Sequence, residues 1–247
     1  MRTKICLTAN YRAFVSAQSA ATGRDPGLPG IVLIHGEAGR GKTCVTAHIA
    51  LKQHAIFLTA LPIWSPRWML SKICEEMGER PSSQLAPMFE SIARELTERP
   101  RPIYVDEGQA LGEKRELVDT LRIFHDLTAV PLVLIGGTSE FRAKMMRRPE
   151  IERRVFREVE FKTSTLDDSR LLAAELAEVR LADDLIEALH RRSRGSAGLF
   201  VRELATVEGF CRRRGLNKIA LADYPMDDST PPPVNNNNRR TDLAAAA

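Results

Sequence analysis

Gly36-Glu37-Ala38-Gly39-Arg40-Gly41-Lys42-Thr43 is the stretch that decides the fold. The apolar run 31–35 precedes it, and residues 43–53 after it read as a helix. A short apolar run ending in glycine suits a buried parallel strand. The eight residues therefore turn a strand into a helix, with the spacing G-x-x-x-x-G-K-T of a phosphate-cradling loop. Glycines let successive backbone N–H groups converge on phosphate oxygens, and the helix N-terminus adds the positive end of its dipole. Lys42 would bridge the terminal phosphates of ATP as a point charge, and Thr43 would place its hydroxyl on Mg2+.

Outward from this turn the pattern is regular. Residues 8–21 read as a helix capped by Thr8 or Asn10, and 23–30, with three glycines and two prolines, as a loop. Further strands are expected at 55–60, 102–105 and 131–135, with a fifth apolar stretch at 155–161. Helices are expected at 68–77, 88–96, 113–128 and 140–147. Strands alternating with helices imply right-handed crossovers and a parallel sheet covered on both faces. Beyond about residue 163 the strand signal ends, and 167–179, 182–192 and 199–213 read as helices. The fold class is thus α/β, a P-loop parallel sheet followed by a small all-helical domain. The divisions read as 1–30, an N-terminal helix and loop; 31–163, the nucleotide-binding domain; 164–224, the helical domain; and 225–247, a flexible low-complexity tail with Pro231-Pro232-Pro233 and a run of asparagines.

Arg101-Pro102-Ile103-Tyr104-Val105-Asp106-Glu107 supplies the second half of the site. An apolar strand ending in two carboxylates places Asp106 at the carboxyl edge of the sheet, where ligands bind in open α/β folds. Asp106 would hold the magnesium through water, and Glu107 would orient or deprotonate the attacking water. Thr138 follows the fourth strand, where it either hydrogen-bonds the terminal phosphate or the attacking water, or serves as a turn residue after two glycines. From Arg142 to Arg157 seven basic residues face two acidic ones. Most such charges form a solvated face, but Arg153 and Arg154 stand at the domain edge, where an arginine can reach a neighbouring subunit's phosphate.

Composition narrows the alternatives. At 247 residues and 43% hydrophobic, the chain can fill one core and a satellite. Its net charge of +4 permits a nucleic-acid partner without demanding one. Cys6, Cys44, Cys74 and Cys211 never form a Cys-x-x-Cys pair, which argues against zinc and disulfides and for a reducing cytoplasm. The apolar runs are far short of a membrane span and no leader is evident, so a soluble cytoplasmic protein with no membrane partner is expected. The five histidines show no metal-ligand spacing. Trp64 and Trp68 could stack on bases, and core or interface packing is the stronger reading.

The order of three segments then carries a resemblance: Asp106-Glu107-Gly108-Gln109; Ile135-Gly136-Gly137-Thr138-Ser139-Glu140; and Glu150-Ile151-Glu152-Arg153-Arg154. With the glycine loop, they resemble the AAA+ ATPases of DNA transposition, such as the phage Mu B protein, TnsC and TniB. The resemblance extends over about residues 8–223 and makes the sheet AAA+ in type, with the helical domain as its lid. It implies an ATPase that forms a ring or helical filament on duplex DNA without reading sequence, and that delivers target DNA to a transposase. Under it Lys42, Thr43, Asp106 and Glu107 take the nucleotide and magnesium positions, Thr138 the first sensor, and Arg154 the inter-subunit arginine, with Arg153 as the fallback. Two departures stand out. Gly108 replaces an alanine common in the family, a change expected to be neutral, and 195–202 lacks a clean Gly-x-x-Arg, which puts a second sensor at Arg202 in doubt.

In such a ring or helix the axial loops follow the second strand and the strand ending in Asp106-Glu107. Those loops carry Arg67, Lys114 and Arg115, which are either phosphate-backbone contacts or ordinary surface charges. Two other functions share this chemistry: a helicase-loader or replication-initiator-like ATPase, and a signalling or secretion ATPase that never touches DNA.

Overall fold

Alternation within each strand sets the architecture. The computed structural model describes all residues except Pro26, Glu113, Thr138 and 227–247, so the sensor expected at Thr138 and nearly all of the expected tail lie outside the described residues. Five strands, β1 (Ile31–His35), β2 (Ile56–Thr59), β3 (Ile103–Asp106), β4 (Leu132–Ile135) and β5 (Val155–Glu160), pair in parallel in the order β2-β3-β4-β1-β5. Successive side chains point to opposite faces. Ile31, Leu33, Ile103, Val105, Leu132 and Leu134 enter one core, and Val32, Ile34, Tyr104, Val133 and Ile135 enter the other. Both faces are apolar, so both must be covered by helices.

The first core is covered by α3 (Pro66–Met77), α4 (Leu85–Glu98) and α5 (Arg115–Thr128), reached by Met69, Ile73, Ile92, Leu117, Leu121 and Phe124. The second is covered by α1 (Ala9–Thr22) and α2 (Lys42–Lys52), through Phe14, Ala17, Val45 and Ile49. Thr8 caps α1, its hydroxyl accepting from the Tyr11 N–H. Helix α1 is therefore part of the sheet's packing, with Phe14 edge-on to Tyr104 at 6.2 Å. Short helices α6 (Ser139–Met146) and α7 (Pro149–Glu152) lead from β4 to β5.

The lid holds a third core, built from α8 (Leu166–Leu176), α9 (Asp183–Ser193) and α10 (Ala197–Arg214), and Cys6 joins it. It is helical except for a two-residue parallel pair, β6 (Arg180–Leu181) with β7 (Lys218–Ile219). Strands this short leave no periodicity to read. Asn10 ties the lid's entry to α1: its amide donates to the Lys162 carbonyl (2.9 Å), and its carbonyl oxygen accepts from the Lys162 N–H (3.0 Å). Among the described residues no helix is long and apolar enough to cross a membrane.

Candidate active site

Parallel pairing brings the ends of β3, β4 and β1 side by side at one edge of the sheet. The residues that leave those strands, Asp106-Glu107, Gly136-Gly137 and the loop after His35, therefore converge. They line a cleft of about 810 Å³ together with Gln109 and Gly198, a size within the usual range for small-molecule sites.

The loop is shaped by close approach. Gly36 has φ +144, and a Cβ there would lie 2.5 Å from the Phe161 carbonyl oxygen. Gly39, at φ +77, would place a Cβ 2.4 Å from the Ser196 hydroxyl. The lid thus rests on the loop itself. The Gly198 N–H donates to the Gly39 carbonyl at 2.9 Å, and the Arg40 guanidinium donates to the Gly195 carbonyl at 2.8 Å. Arg40 also pairs with Glu37. The Lys42 ammonium donates to the carbonyls of Gly36 (2.7 Å) and Glu37 (2.8 Å). Burial pushes its pKa down, and the nearby Asp106 and Glu107 carboxylates oppose that shift.

A phosphate chain with a divalent cation fits this cradle on two observations. A side chain at Gly36 or Gly39 would close the backbone cradle. Asp106 is 4% exposed, and the only hydrogen bond to its carboxylate among the described residues is from the Glu107 N–H, at 2.8 Å. A buried carboxylate is costly unless cations or hydrogen bonds offset its charge, so beside Lys42 it favours a further cation in the cleft. Asp106 and the Thr43 hydroxyl provide the sparse oxygen set that magnesium takes when phosphates and waters complete its shell.

Glu107 leaves the strand abruptly, with φ 55 and ψ 36 in the left-handed region. A non-glycine residue there costs roughly 1–2 kcal/mol. Its carboxylate accepts from the Gln109 side-chain amide, and the Gln109 carbonyl oxygen accepts from the Gly137 N–H at 3.1 Å. Gln109 had no role assigned from sequence. The signal that marks it is its place at the end of the Asp106-Glu107-Gly108-Gln109 segment.

Glycine at 108 suits the packing around it. A Cβ there would lie 2.7 Å from the Phe141 ring and 2.9 Å from the Ile135 carbonyl oxygen, so alanine is not a neutral exchange in this chain. Phe141, 1% exposed, fills the space between Gly108 and Gly136. Overpacking of this kind costs about 1–3 kcal/mol. Gly108→Ala should accordingly lower the denaturation midpoint in urea, and an unchanged midpoint would refute the wedge.

The remaining expected residues lie elsewhere. Arg153 and Arg154 precede β5 at the opposite, strand-start edge, where the Arg154 carbonyl accepts from the Ile31 N–H. The Arg154 guanidinium pairs with Asp126 and donates to the Glu150 carbonyl. No hydrogen bond or ion pair engages the Arg153 guanidinium among the described residues. Arg67 donates to the Ser83 carbonyl (2.6 Å) and Lys114 to the Trp64 carbonyl (2.5 Å). Arg115 pairs with Asp119 and Glu150 at 3.4 and 3.5 Å. Trp64 is a core residue, 3% exposed, so it offers no face to a base, whereas Trp68 is 36% exposed. Arg202 sits on α10 about one turn beyond Gly198.

Residues 26–145 match the family model described as an AAA domain. No curated protein matches the sequence. The fold is similar to the ORC1 protein of Aeropyrum pernix, solved in complex with DNA, at 19% identity and a TM-score of 0.63, over 85% of this chain and 61% of that one. The ADP form of ORC2 from the same organism is similar at 15% identity and a TM-score of 0.59, over 85% and 64%. The Holliday junction branch migration motor RuvB of Thermotoga maritima is similar at 20% identity and a TM-score of 0.58, over 84% and 63%. The chain thus spans about three-fifths of the length of these structures. At such identities the likeness is one of fold: a P-loop AAA+ sheet with a helical lid.

Proposed function

We propose that this AAA+ chain is an ATP-dependent, sequence-nonspecific DNA-binding ATPase that oligomerises on duplex DNA and delivers target DNA to a transposase. One observation carries the ATPase half: the glycine loop, Asp106 and Glu107 share a single cleft at the carboxyl edge of the sheet. Loop N–H groups and Lys42 would bind the ATP phosphates. Magnesium, held by Thr43 and through water by Asp106, would neutralise phosphate charge. Glu107 would take a proton from the attacking water as the bond to the leaving ADP breaks and inorganic phosphate is released. Arg153 and Arg154 are at the far edge of the sheet from this cleft, so an arginine there could serve only a neighbouring subunit. Arg153 is the less encumbered of the two.

The transposition reading draws on the three family segments, two of which are joined physically by Gln109 between Glu107 and Gly137. For DNA, Arg67 and Lys114 are the stronger candidates. Their partners are neutral carbonyls, which leave the positive charge uncompensated, whereas two carboxylates share the charge of Arg115. Phosphate contacts release counterions, so duplex binding with ATP should weaken steeply with salt. Arg67→Ala with Lys114→Ala and Arg115→Ala should weaken binding similarly on unrelated sequences. The salt slope should fall by roughly one unit per lost contact. The structure puts Arg67 and Arg115 in the first turns of α3 and α5 and Lys114 at the N-cap of α5, not in loops, and unchanged affinity and slope in an electrophoretic or anisotropy titration would remove these helix starts from the interface.

The likeness to ORC1 solved with DNA favours a second reading, an initiator-like or helicase-loading ATPase. Stimulation of hydrolysis by an integrase-type transposase supports the first reading. Stimulation by a replicative helicase supports the second.

A further inference from the structure

Glu107 and Gln109 belong to one tight turn. The Glu107 N–H donates to Asp106, the Ala110 N–H to the Glu107 carbonyl (2.9 Å), and the Gly112 N–H to the Gln109 carbonyl (3.0 Å). Backbone geometry therefore fixes where both side chains start. Among the described residues, only the Gln109 amide bonds to the Glu107 carboxylate. The other end of that amide reaches across the sheet edge to the Gly137 N–H, 3.1 Å away, in the turn between β4 and α6.

The chemistry of the two partners dictates the amide's orientation. A carboxylate can only accept and a backbone N–H can only donate, so the NH2 must face Glu107 and the oxygen must face Gly137. Few side chains can stand in. Asparagine is one methylene shorter, and glutamate cannot donate and would repel Glu107. A neutral histidine, with one donor and one acceptor nitrogen, keeps both functions.

We propose that Gln109 is a positioning residue that holds the Glu107 carboxylate and couples it to the Gly136-Gly137 turn. A shift of that turn moves Gln109, and Glu107 with it. The turn lines the same cleft as the glycine loop, so whatever occupies the phosphate end of the cleft is felt at Glu107. This inference rests on the ATPase reading for its catalytic consequence. The bridge itself is a property of the chain alone.

Two measurements test it. In nucleotide-free protein, the Gly137 amide should exchange its hydrogen slowly, and at least about tenfold faster in Gln109→Ala. Gln109→Glu should keep that protection, because its carboxylate can still accept, while failing to hold Glu107. In steady-state hydrolysis, Gln109→Ala and Gln109→Glu should lower kcat about 10–100-fold with KM nearly unchanged, as misplacement of a reacting group does. Gln109→His should recover most of the rate. In a Glu107→Gln background, Gln109→Ala should add nothing.

Equal Gly137 exchange in wild type and Gln109→Ala would overturn the bridge. A wild-type kcat in Gln109→Ala, or a further loss in the Glu107→Gln background, would overturn the positioning role. Failure of the ATPase reading looks different: wild-type protein that does not hydrolyse ATP, or Glu107→Gln turning over at the wild-type rate. In that event the exchange measurement alone decides whether Gln109 ties the two turns.

Discussion

Lys42→Ala should abolish ATP binding, and ATP-dependent DNA binding with it, while leaving the fold intact. The two halves of that expectation have separate physical causes. In the folded chain the Lys42 ammonium is held by two loop carbonyls, of Gly36 and Glu37. Both bond to the charged end of one flexible side chain at a solvent-facing cleft, so water can replace it when the side chain is truncated. Alanine also suits the first turn of α2 at least as well as lysine. Thermal unfolding should therefore change little. Binding is another matter. A charge-assisted hydrogen bond contributes about 1.5–3 kcal/mol, and Lys42 would offer two or more to adjacent phosphates in a partly desolvated site. Losing them should weaken ATP by about 10²–10⁴-fold, since each 1.4 kcal/mol is a factor of ten. Calorimetric titration beside a melting curve separates the effects. ATP affinity equal to wild type would dismiss the phosphate role, and a collapsed melting transition would place Lys42 in the fold.

The parts of this site legible in the sequence are those that are local in the chain. Strand, glycine turn and helix follow one another without interruption from Ile31 to Lys52, so periodicity and motif agree there. Asp106 is legible for the same reason, as the polar end of an apolar run. Boundaries were less so. Helix α3 starts at Pro66, earlier than its apolar spacing begins, because the Ser65 hydroxyl accepts from the Trp68 N–H and proline suits the first turn. What the sequence hid is contact between distant segments. The lid reaches the loop through Gly198 and Gly39, 159 positions apart, and only the fold shows that a glycine is needed against Ser196. Nothing in the sequence marks Phe141, which determines what residues 108 and 136 can be. The family segment favours Arg154 with Arg153 as the fallback, and the pairing of Arg154 with Asp126, on another helix, leaves no trace in that pattern.

Glu107→Gln should retain ATP and stop its turnover. The change preserves size and one acceptor oxygen, so the Gln109 amide still has a partner and the turn at φ 55 need not rearrange. What disappears is the negative charge that draws a proton from the attacking water. General-base catalysis is typically worth 10²–10⁴-fold, and kcat should fall by about that factor while ATP affinity stays near wild type. If hydrolysis releases the oligomer from DNA, the mutant assembly should persist longer on duplex, as an anisotropy chase would record. Its arginines remain intact, so the same protein also tests catalysis between subunits. Mixed with an Arg153→Ala, Arg154→Ala double mutant, it should recover part of the activity. Some interfaces would then join a wild-type arginine pair from one subunit to a wild-type Glu107 from the next. Hydrolysis by Glu107→Gln at the wild-type rate would place the catalytic carboxylate elsewhere. Loss of turnover without recovery in any mixture would confine both groups to one subunit, against the wide separation of the strand-end cleft from the strand-start edge.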